Sequence, residues 1–139
     1  MSRIFIPRSV AETSMPYVIN NVQEVFGRDA SIHILTRPEN VGVMSAIIGV
    51  RKVYEVNSSF FSNKTKILKL QSINKEDIVV MPITNVKALS SYGNVIKFIK
   101  SNFKDNTIYY HDFDNLKISV YSDNGFLFKL MSFFCIFIS

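Results

Sequence analysis

Two short stretches of the chain carry residue types that can do chemistry at the mouth of a helix. The first is Arg8-Ser9-Val10-Ala11-Glu12-Thr13-Ser14, a cation, a carboxylate and three hydroxyls directly after an apolar run. Where such a stretch opens a helix, backbone N–H groups and the helix dipole favour an anion. Arg8 is then an anion holder, Ser9 and Thr13 are hydrogen-bonding partners for a ligand, and Glu12 is a candidate general base. The same hydroxyls also suit ordinary capping of the first turn. The second stretch runs from Asn85 to Asn94, where Tyr92-Gly93-Asn94-Val95 sets a phenol, a glycine and a carboxamide at the start of a helix. Asn85, Tyr92 and Asn94 are candidates for hydrogen-bonding a polar ligand. A Gly/Asn turn followed by an N-cap also accounts for them.

Other chemistry-bearing residues are more isolated. His111-Asp112-Phe113-Asp114 could offer a metal one imidazole and two carboxylates, but no further ligand converges on it and Asp-rich turns are common, so no metal is expected. His33 lies inside an apolar run and reads as a core or sheet-face histidine. Cys135, the single cysteine, sits among Phe and Ile, where a thiol is buried and inert, and it permits no internal disulfide. A reducing compartment fits. There is no GxGxxG, GxxxxGK[ST] or GxSxG, and five glycines leave little material for a phosphate-cradling loop. No cofactor is expected.

The elements that must position these residues follow from hydrophobic spacing. At 139 residues the chain has room for one domain with a core large enough to fold without staples. Ile4-Phe5-Ile6 reads as a buried strand ended by Pro7. Met15, Val18, Ile19, Val22, Val25 and Phe26 recur at helical spacing, with Ser14 as cap, Pro16 in the first turn and Gly27 as the stop. Ser31 to Leu35 is a second strand, and Asn40 caps a short helix carrying Val41, Met44, Ile47 and Ile48 up to Gly49. Val53 to Val56 is a third strand, and Ile67, Leu68, Leu70 and Ile73 predict a helix over 66–73. The β-branched run Asp77 to Pro82 lacks polar alternation, which predicts a central strand covered on both faces. A helix opening at Ser91 or Asn94 and reaching Phe103, a strand at Thr107 to Tyr110, and a more exposed strand carrying Leu116, Ile118 and Val120 complete the chain.

Strands alternating with short helices predict an α/β, Rossmann-like three-layer domain over 1–122, with a mostly parallel sheet of five to six strands. Ligands of such sheets lie outside the carboxyl ends of the strands. The loops 8–13, 36–40, 57–59, 84–94 and 111–114 are therefore where function is expected.

Residues 123–139 form an apolar C-terminal segment in which Phe126, Phe128, Phe133, Phe134 and Phe137 surround a single cation, Lys129. As a helix, Phe126 to Ser139 spans roughly 21 Å, short of the ~30 Å hydrocarbon core, so a transmembrane role is not expected. The segment reads as a last core helix, as a face that docks on a membrane surface with Lys129 snorkelling to the headgroups, or as a docking face for more protein. The formal charge of +5 is spread along the chain rather than gathered with stacking aromatics, so no nucleic-acid partner is expected. Met1 to Pro7 lacks the pattern of a signal peptide, which predicts a cytoplasmic protein.

The order of elements resembles a known family. Arg3-Ile-Phe-Ile, a polar loop, the helix from Pro16 to Phe26-Gly27, then Ala30-Ser-Ile-His-Ile-Leu-Thr-Arg-Pro and Val50-Arg-Lys-Val-Tyr-Glu-Val resemble the N-terminal half of GT-B glycosyltransferases of the heptosyltransferase-like kind. The Asp77 to Pro82 strand followed by Tyr92-Gly93-Asn94-Val95 is similar to bacterial surface-polysaccharide glycosyltransferase-like proteins, and the likeness covers residues 3 to 110. The resemblance implies metal-free transfer of a sugar from a nucleotide donor to a glycan or lipid-linked acceptor at the inner face of the cytoplasmic membrane. In that family a Gly-Asp pair after the first strand supplies the base; here the loop is shorter, the glycine is missing and Glu12 occupies a neighbouring position. The family binds its donor nucleotide mainly on a second Rossmann half, and 139 residues hold only the first. The chain is therefore expected to be an acceptor-side half, completed by a second half or a partner protein. The alternative is a non-catalytic α/β interaction module that docks on a partner through its apolar C-terminus.

Overall fold

The computed structural model describes residues 2–122. One mixed sheet of six strands runs through it: β1 (Arg3–Pro7), β2 (Ser31–Thr36), β3 (Val50–Glu55), β4 (Ile78–Ile83), β5 (Ile108–Asp112) and β6 (Lys117–Val120), in the spatial order β3-β2-β1-β4-β5-β6. The first five are parallel, and β6 returns antiparallel along β5. Three helices accompany them: α1 (Met15–Phe26), α2 (Val41–Ser45) and α3 (Gly93–Asn102). The fold is α/β and Rossmann-like. No helix among the described residues is long and apolar enough to cross a membrane. The expected C-terminal helix, with Phe126, Phe128, Lys129, Phe133, Phe134 and Phe137, lies outside the described residues, as does Cys135.

Period-two alternation sorts the strand residues onto two faces. Ile4, Ile6, Ile32, Ile34 and Val80 pack with Met15, Val18, Ile19 and Val22 of α1 and Met44 of α2. Phe5, Leu35, Val79, Met81 and Ile83 pack on the opposite face with Phe98, Ile99 and Phe103 from α3 and its end. Each fully buried Ile, Val or Phe is worth ~1.5–3 kcal/mol relative to exposure, so the sheet is clamped from both sides. The β-branched run of β4 lies beside β1 at the centre of the sheet and is covered on both faces, as its composition predicts.

Several local expectations are corrected. Residues 66–73 form no helix: Leu68 N donates to Glu55 O at 2.8 Å, Val56 bridges Ile67, and Lys69 takes a left-handed φ of 63°. The connection from β3 to β4 pairs with the end of β3 and presses Ile67, Leu70 and Ile73 onto the second face from an irregular, non-helical chain. Ser14 precedes α1 but makes no capping bond, because the 3-10 turn Glu12–Ser14 already has helical backbone and runs straight into the helix. Asn40 likewise makes no side-chain cap. α2 stops at Ser45 rather than at Gly49, and Ile48, counted as an apolar-face residue, is 95% exposed. Gly49, at φ 97°, turns the chain into β3, which begins three residues earlier than its Val53 start in the sequence reading. Leu116 belongs to the exposed turn before β6, whereas Ile118 is buried.

Candidate functional site

The strand order reverses between β1 and β4. The chain leaves β1 for α1 on one face and leaves β4 for α3 on the other, so the loops after these neighbouring strands part and a cleft opens between them. Two adjoining hollows fill this place and share Arg8 and Ser9. One, of about 310 Å³, collects Thr36 and Arg37 from the end of β2, Ser58 and Ser59 from beyond β3, and Asn94 and Val95 from the start of α3. The other, of about 400 Å³, reaches Ser14, Thr84, Tyr92 and Phe113.

Hydrogen bonds hold the loop after β1 in place. Arg8 N donates to Leu35 O at 2.9 Å, which extends the β1–β2 ladder by one step. Ser9 Oγ donates across to Pro82 O at 2.5 Å, tying the loop to β4. That carbonyl lies one position before the strand's last residue, so the bond spans the switch point. The Arg8 guanidinium donates from Nη1 to Val10 O at 3.1 Å. Burial, and then the like charge of Arg37, lower the Arg8 pKa, while Glu12 and Glu39 pull the other way. The guanidinium still stays charged at neutral pH. Arg37 Nε lies 3.4 Å from Glu39 Oε1 without a well-aligned hydrogen bond. Thr36 is 1% exposed, and its Oγ1 has no hydrogen-bond partner among the described residues.

The second hollow is framed by the loop after β4. Tyr92 Oη accepts from Thr84 N at 3.1 Å and lies 3.3 Å from Thr84 Oγ1, which folds the 3-10 turn Val86–Tyr92 back over the strand end. Asn85 starts that turn by accepting from Ala88 N at 3.0 Å, and its Nδ2 donates to Asp114 Oδ2 at 3.0 Å. Its carboxamide is thus engaged on both sides. α3 begins at Gly93, which puts Asn94 in the first turn, exposed toward the cleft rather than acting as cap.

The tertiary structure therefore brings Arg8, Ser9 and Asn94 to one hollow and Tyr92 to its neighbour. Glu12 and Thr13 stand exposed on the 3-10 turn before α1 and line neither hollow, nor does Asn85. Thr36, Arg37, Ser58 and Ser59 were not singled out as residues, although the loops that carry them follow parallel strands and so belong to the ligand edge.

The remaining candidates are structural. His111 belongs to β5, is fully buried, and its Nε2 meets Asn21 Oδ1 at 2.9 Å across to α1. Burial pushes its pKa down to about 4. Asp112 accepts from Asn115 N and Nδ2 in the turn to β6, so its carboxylate is taken up there. No group of three metal-ligating side chains occurs among the described residues. His33 is wedged beside Phe5 and stacks on Tyr54 at 5.9 Å, with Nε2 2.8 Å from Ser31 Oγ; burial, followed by the Arg3 charge, lowers its pKa to about 4. Comparison with protein-family models, curated proteins and solved structures finds no match, so the geometry of the cleft carries the functional reading.

Proposed function

We propose that the chain is the acceptor-side half of a glycosyltransferase-like assembly of bacterial cell-surface polysaccharide synthesis, helping to transfer a sugar from a nucleotide donor. The observation that supports this best is the open cleft at the β1–β4 switch point, where Arg8, Ser9 and Asn94 set polar groups among apolar neighbours. Open α/β sheets take their ligands at this place. Guanidinium, hydroxyl and carboxamide groups suit an oxygen-rich, hydrated acceptor such as a glycan or the head of a lipid-linked acceptor. Neither loop carries the glycine-rich turn that brings backbone amides onto a pyrophosphate, so the donor nucleotide belongs to a second Rossmann half or a partner protein. Glu12 serves as base only in an assembly that brings the acceptor over its turn. In this reading Phe126 to Ile138 docks peripherally on the inner face of the cytoplasmic membrane, with Lys129 among the headgroups.

Amide NMR titration of the full chain tests the reading. Bacterial core oligosaccharides are expected to shift Arg8, Ser9 and Asn94, with UDP-glucose binding only weakly. Tight UDP-glucose binding by the chain alone, or oligosaccharide shifts that avoid the cleft, would overturn it. Flotation on anionic vesicles checks the docking: cutting after Asn124 is expected to abolish it, and flotation of the shortened chain would refute a membrane role for the segment.

A further inference from the structure

The geometry points to a phosphate-group site in the smaller hollow, held between the guanidinium groups of Arg8 and Arg37. The inference rests on the reading of this cleft as the ligand site, and names the chemistry it selects.

The reason is the pair of arginines. The parallel register sets the loop after β1 beside the loop after β2, so both arginines line one hollow, and the Arg37 charge bears on Arg8 in a partly desolvated place. An anion between them relieves this repulsion. Only one Arg8 donor is tied up locally, through Nη1 to Val10 O, and Arg37 has only the loose contact to Glu39. Planar forks with free N–H groups match phosphate oxygens bidentately.

The surroundings agree in sign and size. Asn94 and Val95, in the first turn of α3, line the same hollow, and Asn94 is exposed there. Glu39 and Glu12 are the nearby opposing charges; both are exposed and neither lines the hollow. At about 310 Å³ the hollow exceeds what a phosphate group needs. Phe60, 78% exposed on the rim, offers an aromatic face to whatever ring carries the phosphate.

The test is an amide NMR titration of the full chain with inorganic phosphate, glucose 1-phosphate, glucose, and chloride at matched ionic strength. Phosphate and glucose 1-phosphate are expected to shift Arg8, Arg37 and Ser58 saturably, while glucose and chloride leave them in place. Tighter binding of glucose 1-phosphate identifies a phosphorylated sugar as the ligand, and equal binding identifies free phosphate. Arg37→Gln is expected to weaken binding at least tenfold with the thermal midpoint retained, and Arg8→Gln likewise weakens it at least tenfold. Arg28→Gln, in the turn beyond the far end of α1, leaves affinity unchanged. Equal shifts with chloride, or wild-type affinity in both Arg8→Gln and Arg37→Gln, would overturn the site. Oligosaccharide binding that persists in the cleft without phosphate dependence would sink this inference and leave the acceptor reading standing. Phosphate binding as described, with oligosaccharides avoiding the cleft, would do the reverse.

Discussion

Asp77, with no exposed surface, receives three N–H groups of Arg3: the backbone N at 3.0 Å, Nε at 3.2 Å and Nη2 at 2.7 Å. Asn74 N adds a fourth bond at 2.8 Å. The pair fastens the start of β1 to the start of β4, at the opposite end of the sheet from the cleft.

Breaking this clamp is expected to be expensive. Asp77→Ala leaves Arg3 without its partner, and loss of one member of a buried pair costs ~3–5 kcal/mol. Burial by itself would raise the Asp77 pKa, but the hydrogen bonds from Arg3 and Asn74 more than reverse this and hold it below the usual carboxylate value of 3.8. A lowered folded pKa means that the stabilisation is present above the unfolded value and is lost as pH falls through the folded one. The difference in urea midpoint between wild type and Asp77→Ala should therefore be constant from neutral pH down to about 4 and shrink below it. A difference that stays unchanged at pH 2 would contradict this.

The buried histidines predict a second acid-sensitive window. His111 and His33 both have folded pKa values near 4, below the ordinary 6.5, so the unfolded chain takes up protons first as pH falls. Their contribution is complete above about 6.5, declines between 6.5 and 4, and levels off below. For His111, which has no exposed surface, the loss is on the order of 3 kcal/mol. Ring-carbon NMR titration should place its midpoint near 4; a midpoint near 6.5 would count against it.

Gly27 ends α1 at φ 115° and ψ 146°, while its N–H still donates to Gln23 O. A Cβ here would stand 3.0 Å from Asp29 Oδ1 in backbone geometry that side chains rarely adopt. Gly27→Ala should cost ~1–3 kcal/mol in chemical denaturation. Adding Asp29→Ala removes the contact but not the backbone strain, so most of the loss should remain.

Ser9 joins stability to the cleft. Ser9→Ala removes the bond to Pro82 O and should cost ~1 kcal/mol, seen as a drop of about 4 °C in thermal midpoint. The same variant frees the loop that carries Arg8, so ligand affinity should fall along with stability. Loss of stability with unchanged affinity would show that the Arg8 position does not depend on this bond.

Most of the architecture was legible from local pattern. Apolar β-branched runs marked the strands, helical spacing from Met15 to Phe26 marked α1, and the alternation of the two types implied a parallel sheet. The uninterrupted run now seen as β4 correctly implied burial on both faces. The segment 66–73 misled because Ile67, Leu70 and Ile73 face the core at intervals that an irregular chain packed on the α3 face also satisfies. There, pairing with the end of β3 outweighs helix propensity.

The site divides along the same line. Arg8, Ser9 and Asn94 could be named from their loops, since each sits where a strand ends or a helix begins. Thr36 and Arg37 could not, because their meaning comes from neighbours distant in sequence. Residue type and periodicity are local quantities, and they determined the elements and the edge of the sheet at which ligands bind. The strand order β3-β2-β1-β4-β5-β6 is a matter of long-range pairing. It alone decided that Arg8 and Arg37 line one hollow, that Ser9 meets Pro82, and that Asp77 meets Arg3. Those contacts join segments up to 74 residues apart, which only a closed core can hold together.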